Sequence, residues 1–492
     1  MKGSLLNKPK SVALLLFCLC WGDLIFASPW IGTVEPQLHH DLQTLSEWGY
    51  LDAATTTYPM PWKGIAEQLS ALNMAELAPT AAIAAQRLQH YLRLHQKQEN
   101  RTTVSLYGAT QEGRFSSFDG ERGEKVQLNF SNEIYWERWA VQVSVNHEPG
   151  GKNNFDQSFI AYQFGDWNLR AGAIDQWWGP AQSSSLILSN NARPIPALAL
   201  SRSQATASQD SWLSLLGPWY LTAQLGQLES DRVIPDANVW MTRFTFKPVK
   251  GLEIGASWSA MWGGRGQSNS LGDFLDVLTF TAPCADGTDD CGDALGAKKG
   301  NHLAGFDVKY SFSLFERPVS LYVQRIGEDA ADDYPISDQA NLFGISSYMW
   351  GAKVYLESSD TNVACENNDS RQKNCFYTHG TYQSAYRFYQ RAIGSVFDRD
   401  ASMLSLGANK HFSNGDVLEV VLRHLKLNEE APGPSPAAFG NREKLVQLSG
   451  FYQTSFGDWQ LKLGAQIERS EVEKYGSAKH SMLYSQIKYS LR

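Results

Sequence analysis

Two neighbouring stretches decide how this chain folds: Val126-Gln127-Leu128-Asn129-Phe130-Ser131, and Trp139-Ala140-Val141-Gln142-Val143-Ser144-Val145-Asn146. In both, apolar and polar side chains alternate, and a period of two puts all of one kind on one face of an extended strand. The alternation returns in Ala304, Phe306, Val308 and Tyr310 against Asp307, Lys309 and Ser311. It returns again in Trp459, Leu461, Leu463, Ala465 and Ile467 against Gln460, Lys462, Gln466 and Glu468. Strands of about ten residues with one greasy and one wet face are the signature of a barrel that stands in lipid around a polar interior.

Working outward from these stretches, we place eighteen antiparallel strands between residue 101 and the C-terminus, one of them at 210 to 216. The fold class is therefore an all-β transmembrane barrel. Tight turns such as Gly217-Pro218, Lys250-Gly251 and Asn414-Gly415 interleave with long segments at 177 to 209, 264 to 301, 359 to 400 and 428 to 443. In outer-membrane barrels the short turns are periplasmic and the long loops external. Phe-Gly-Asp-Trp occurs twice, at 164 to 167 and 456 to 459, and Leu216-Gly217-Pro218-Trp219 repeats the theme. All three read as periplasmic turns within an aromatic girdle.

Composition agrees with this reading. Aromatic residues make up 12% and charged residues only 19%, while 51 acidic against 43 basic side chains give a formal charge of −8. A basic nucleic-acid binder is excluded, so no nucleic acid is expected as a partner. With no uncharged apolar run of about 18 residues, a helical transporter is excluded too. Residues 1–27 read as a secretory signal peptide: Lys2, Lys8 and Lys10, then apolar Val12 to Trp21, then Ala27 before Ser28-Pro29.

Residues 28–100 change to a helical period. Leu38, Leu42 and Leu45, then Trp62, Ile65, Leu69 and Leu72, then Ile83, Leu88 and Leu92 predict three short helices in a bundle on the periplasmic side of the 101–492 barrel. His39, His40, His90 and His95 lack a ligand spacing and read as solvated or capping residues, so neither a metal nor a cofactor is expected. Four cysteines fall into two local pairs, Cys284 with Cys291 and Cys365 with Cys375. In an exported chain these predict two small loop disulfides, because neither spacing makes the CxxC knuckles of a zinc site.

Catalytic signatures are missing: no Walker loop, HExxH, GxSxG or dinucleotide fingerprint occurs. His302 and His424 have no spacing that recruits a serine. Glu328 and Asp329, as strand neighbours, point to opposite faces and cannot straddle a glycosidic bond, so a strand-end solvated charge or calcium ligand is the reading for that pair. No enzyme is expected.

Binding chemistry is better represented. Sugars present apolar faces and many hydroxyls, often with anionic groups, which call for flat aromatic rings with Arg and amide donors. Tyr377, Tyr382, Tyr386 and Tyr389 are interleaved with Arg387 and Arg391 in one long external connection. Together with Trp177, Trp178 and Arg193 they form the candidate polysaccharide site. The opposing reading is that the rings fold into the barrel mouth as the core of a plug.

Several motifs in one order resemble a known family. Ile174-Asp175-Gln176-Trp177-Trp178-Gly179-Pro180, Asn191-Ala192-Arg193-Pro194, Gly217-Pro218-Trp219, Arg243-Phe244-Thr245-Phe246, Leu303-Ala304-Gly305-Phe306-Asp307 and Tyr377-Thr378-His379 are similar to the Wzi-type capsule assembly proteins of Gram-negative outer membranes. The resemblance implies an 18-stranded barrel whose bundle and loops leave no freely open pore. It also implies a lectin-like protein that binds and organises capsular or exopolysaccharide at the cell surface without catalysis. Its partners would be that polysaccharide, outer-membrane lipid and the capsule export machinery. Two features depart from the family pattern: the charged Arg492 terminus and the two loop cysteine pairs. The alternative is a substrate-selective porin or saccharide channel, which would conduct across a planar bilayer.

Overall fold

The computed structural model describes residues 29–31, 35–96, 100–115, 118, 125–208, 212–279, 300–328, 337–367, 370–373, 375–379, 381–430 and 440–491. The expected signal segment 1–27 and the pair Cys284 and Cys291 lie outside them.

The alternating strands close on themselves. The first, Arg101–Ala109, pairs on one edge with Val126–Trp136 and on the other with the last, Gly476–Leu491, so no edge is left open. The result is an antiparallel barrel of eighteen strands, with the short Lys152–Asn154 prolonging one pairing. Leu106, Leu128, Phe130, Leu321, Leu406 and Leu463 are exposed on the outer face, whereas Gln142, Ser144, Arg243, Glu357 and Gln447 are buried inside. An apolar exterior around a polar interior is what lipid outside and water or polar groups inside select.

One strand lies elsewhere than the sequence pattern placed it. Leu213–Leu216 is a single 3-10 turn with Leu215 exposed, and the missing strand is Ala197–Arg202, between Trp167–Gly172 and Trp219–Gln227. In Ala197-Leu198-Ala199-Leu200 the leucines face outward and small alanines face inward. The polar face that marks the other strands is missing there, so the alternation vanishes. The Gly217-Pro218 step accordingly ends a longer connection, 203–218, instead of making a two-residue hairpin. Its Trp219 is buried, with the Arg202 guanidinium 3.9 Å from its ring centre.

The N-terminal helices are α1 (Pro36–Glu47), α2 (Ile65–Ala71) and α3 (Pro79–Gln96). Leu38, Leu42, Leu45, Ile65, Leu69 and Leu88 form their shared core, which continues onto Ala205 and Tyr220 of the barrel side. Polar positions of α1 are buried as well, because the helix is wedged into the barrel mouth at the tight-turn end. There Glu47 accepts from Lys309 at 2.6 Å, Lys353 at 2.9 Å and the Tyr348 hydroxyl at 2.6 Å. Burial alone would raise the Glu47 pKa, but the two lysines outweigh it and hold the carboxyl at about 2.

His39 and His40 correct a second expectation. Both are buried rather than solvated, and the His39 ring lies 4.5 Å from Phe118, with Nε2 3.1 Å from the Thr55 carbonyl. Burial, with His40 close by, pushes the His39 pKa down to about 3, so the ring is neutral.

Candidate functional site

Segments entering from both ends meet inside the barrel. Thr57 and Tyr58 pair antiparallel with Trp178 and Trp177, so the N-terminal segment and the 173–196 loop share a two-stranded ladder in the lumen. Inward carboxylates and amides of the wall anchor these segments through backbone groups. Glu253 accepts the N–H groups of Thr55 and Thr56, both at 2.8 Å, and Glu357 accepts those of Gln182 at 2.7 Å and Ser183 at 2.8 Å. Gln324 accepts from the Leu186 N–H at 2.8 Å. Buried backbone donors must find partners, and side chains of the wall supply them where no sheet can.

Most of the candidate site residues belong to this plug. Tyr377, Tyr382 and Tyr386 are fully buried, and their hydroxyls donate to the carbonyls of Leu186 at 2.5 Å, Gly263 at 3.1 Å and Ile187 at 2.9 Å. Burial pushes all three phenols up, which keeps them protonated as donors. Trp178 packs in the same apolar cluster, while Trp177 lies in an adjoining one and donates from Nε1 to the Ala181 carbonyl at 2.9 Å. Arg387 is turned to Asp398, bonding it twice at 3.1 and 2.7 Å. Glu328, read from sequence as a solvated strand-end charge, is buried and accepts the Tyr377 N–H at 2.5 Å. Packing explains the change: a 40-residue connection folded into a lumen needs its own apolar core, and the largest rings fill it.

Three candidates come together elsewhere. Arg193, Tyr389 and Arg391 line a cavity of about 680 Å³ that runs along the lumen. Arg193 grips Asp156 through Nε and Nη2, both at 2.9 Å, and its guanidinium lies 4.8 Å from the centre of the Tyr389 ring. Burial works against the Arg193 charge, but the bonds and charge of Asp156 prevail and raise its pKa above the ordinary arginine value. Arg391 donates to Asn191 Oδ1 at 3.1 Å and to the Arg114 carbonyl at 3.3 Å.

Tyr389 and Gln390 form the two-residue turn of a small hairpin, Arg387–Phe388 with Arg391–Ala392, and have φ of 47° and 66°. Two left-handed residues in succession are what a tight hairpin turn needs, usually from Asn or Gly. Placing a tyrosine there costs about 1 kcal/mol or more of backbone strain. The return is position: Tyr389 is 51% exposed where it lines the cavity.

The opposite wall is rich in amides. Gln127, Asn129, Gln142, Ser144, Asn146 and Gln157 face the cavity, and Asn129 donates to Ser144 Oγ and to Asn146 Oδ1, both at 2.8 Å. Asp175 accepts from Gln157 at 2.5 Å. These are the polar residues of the stretches that decided the fold, legible as an inner face although not as a site. A ring, two guanidinium groups and a field of amides at this volume suit a saccharide, with the carboxylates Glu112, Glu148, Asp156 and Asp175 in the same lining as acceptors for its hydroxyls. Asp156, which orients Arg193, gave no signal in the sequence.

Residues 95–482 match the protein family described as capsule assembly protein Wzi. An uncharacterized 55.8 kDa protein in the cps region of Klebsiella pneumoniae is 30% identical over 345 residues, or 67% of this chain, and the chain spans 65% of that relative's length. Among solved structures, Wzi of Escherichia coli is 26% identical, with a TM-score of 0.77 covering 92% of this chain and 97% of that one. That protein is described as an outer membrane protein involved in group 1 capsule assembly and a carbohydrate-binding β-barrel.

Proposed function

Because the chain belongs to the Wzi family of capsule assembly proteins, we propose that it is an outer-membrane, lectin-like barrel that binds capsular or exopolysaccharide and organises it at the cell surface. It acts by binding and positioning, not by catalysis. The observation that carries this reading is the cavity in which Arg193, Tyr389 and Arg391 face an amide-lined wall. Sugar rings would stack on Tyr389, uronate or similar groups would meet the arginines, and hydroxyls would exchange hydrogen bonds with the amides.

In this reading the leader 1–27 is removed on export, the long-loop end faces outward, and the helices sit on the periplasmic side, where the capsule export machinery can reach them. An epitope inserted at Asn367 should then be labelled on intact cells and one at Gly457 only after permeabilisation. Surface labelling at Gly457 would reverse the orientation. The local disulfides belong to the same picture. Cys365 lies in a hairpin opposite Gln372, three residues before buried Cys375, and short bridges here would staple the external loops. Non-reducing peptide mapping that found cross-paired thiols would refute them.

The experiment for function is capsule retention. Cells carrying the triple variant Arg193→Ala, Tyr389→Ala, Arg391→Ala should shed polysaccharide into the medium while the barrel still shows heat-modifiable migration. Retention equal to that of the unsubstituted protein would move the binding surface elsewhere.

A further inference from the structure

A fourth helix, α4 (Leu271–Leu278), stands apart from the other three because it packs against the outside of the barrel. Strand parity fixes this. In Leu252–Trp262, Met261 belongs to the apolar cluster of the lumen plug, whereas Ala260 and Trp262 belong to a separate cluster with Val277, against which Trp258 and Phe274 pack. Likewise Val239 and Met241 face the plug, while Trp240, between them, meets the Phe274 ring at 5.6 Å. Phe274 also lies 5.3 Å from the Trp262 ring. Adjacent strand residues point to opposite faces, so α4 covers the outer wall near the long-loop end of these strands.

The helix is built to stay there. Ser270 and Asp273 form a reciprocal capping box, Ser270 Oγ accepting the Asp273 N–H at 3.1 Å and Asp273 accepting the Ser270 N–H at 2.9 Å. The preceding Asn269 accepts from the Gly264 N–H at 2.9 Å and from Asn238 at 3.0 Å, which ties the helix start to the barrel rim. With Phe274 and Val277 turned to the wall, Leu271 and Leu275, one turn apart, remain 74% and 51% exposed.

We propose that α4 is an interfacial helix seated in the lipid leaflet on the long-loop side, with Leu271 and Leu275 among acyl chains. The occupant follows from continuity. The exposed leucines adjoin the barrel's own apolar belt, which continues on the next strand through outward Phe306 and Tyr310, both exposed. Tryptophans on the outer wall beneath the helix, Trp240, Trp258 and Trp262, are the residues that gather where hydrocarbon meets headgroups. A helix with apolar residues toward both wall and surroundings, lying at that level, matches a monotopic element extending the belt sideways. The proposal is independent of what the loops bind.

The test is spin-label accessibility in liposomes. A nitroxide on Leu271→Cys or Leu275→Cys is read by power saturation with oxygen, which concentrates in lipid, and with a neutral nickel chelate, which stays in water. The labelled unsubstituted protein provides the background, and heat-modifiable migration confirms folding of each variant. Leu483→Cys on the apolar belt and Tyr475→Cys in an exposed turn are the lipid and water standards. The expected result is an oxygen-to-nickel ratio at 271 and 275 shifted to that of Leu483→Cys. A ratio like that of Tyr475→Cys overturns the proposal. So does protection from both reagents, which would mean that protein covers the helix: another part of this chain, a second copy or a partner.

Discussion

Arg193 holds Asp156 in a two-bond fork while its flat guanidinium lies 4.8 Å from the centre of the Tyr389 ring. Asp156 fixes the plane of the fork, and the fork in turn supports a ring on a strained turn. Such a pair offers a ligand a preset aromatic face beside a fixed positive charge, so little ordering remains to be done on binding.

Tyr389→Ala should weaken glycan binding by about 1 kcal/mol, roughly fivefold, through lost stacking area. Arg193→Gln should cost a similar amount, but its effect should shrink as salt rises, because it removes attraction between charges near the surface. Titrating both variants at low and high salt separates the contributions. Equal salt dependence in the two would contradict the assigned roles.

Arg243 and Asp307 form a fully buried pair at 2.6 and 3.0 Å, and Arg243 also donates to Thr57 Oγ1 at 2.8 Å and to the Thr56 carbonyl at 3.2 Å. Removing one partner strands the other charge away from water, at a cost of about 3 to 5 kcal/mol. Arg243→Met should lower the temperature at which heat-modifiable migration is lost and should expose the 53–58 segment to protease. Replacing both residues with apolar ones should recover part of the loss. A single variant as stable as the unsubstituted protein would show that this pair does not anchor the N-terminal segment.

Acid should loosen the N-terminal helices in two stages. The folded pKa of His39, about 3, lies below its ordinary 6.5, so the unfolded state takes up protons first and stability falls as pH drops from 6.5 toward 3. For Glu47, depressed from 4.5 to about 2, a second loss begins below pH 4.5. Protease resistance of α1 measured from pH 7 to pH 3 should decline accordingly, and His39→Phe should shrink the first stage, leaving the share of His411, whose pKa burial also lowers against Asp41 of α1. Resistance that stays flat or rises on acidification would be inconsistent with both assignments.

Purified protein in a planar bilayer should conduct little. The first cavity runs along the lumen as far as Gln460 and Lys488 near the tight-turn end, where the same two residues also line a second cavity of about 290 Å³. Glu35, which lines the second cavity, accepts from Arg101 at 2.5 Å and faces the shared Lys488 at 3.6 Å. Glu35→Gln should loosen this crossing and raise brief openings. Steady porin-like conductance from the unsubstituted protein would instead favour a channel.

The barrel was legible because lipid and water impose opposite demands on alternate residues, as in Val126 to Ser131 and Trp139 to Asn146. Where that contrast lapses the reading failed: Ala197–Arg202 carries leucine outside and alanine inside, and no polar face announces a strand. The site was harder for a different reason. Tyr377, Tyr382, Tyr386 and Tyr389 are the same residue type within thirteen positions, yet three are fully buried and one is exposed. Only the tertiary course of the loop, and above all the turn at Tyr389 and Gln390, sorts them. Asp156 and the amides of the first strands become neighbours of Arg193 because the 173–196 loop folds back into the lumen against the strands that precede it, a relationship that local spacing does not encode.

The central claim is tested most directly by a binding isotherm: the protein in lipid nanodiscs titrated with fragments of the capsular polysaccharide made by the same bacterium. The unsubstituted protein should bind saturably, and the triple variant Arg193→Ala, Tyr389→Ala, Arg391→Ala should bind at least tenfold more weakly, as the loss of about 1 kcal/mol per contact requires. Equal affinity in the folded triple variant, or no saturable binding by the unsubstituted protein, would contradict the account.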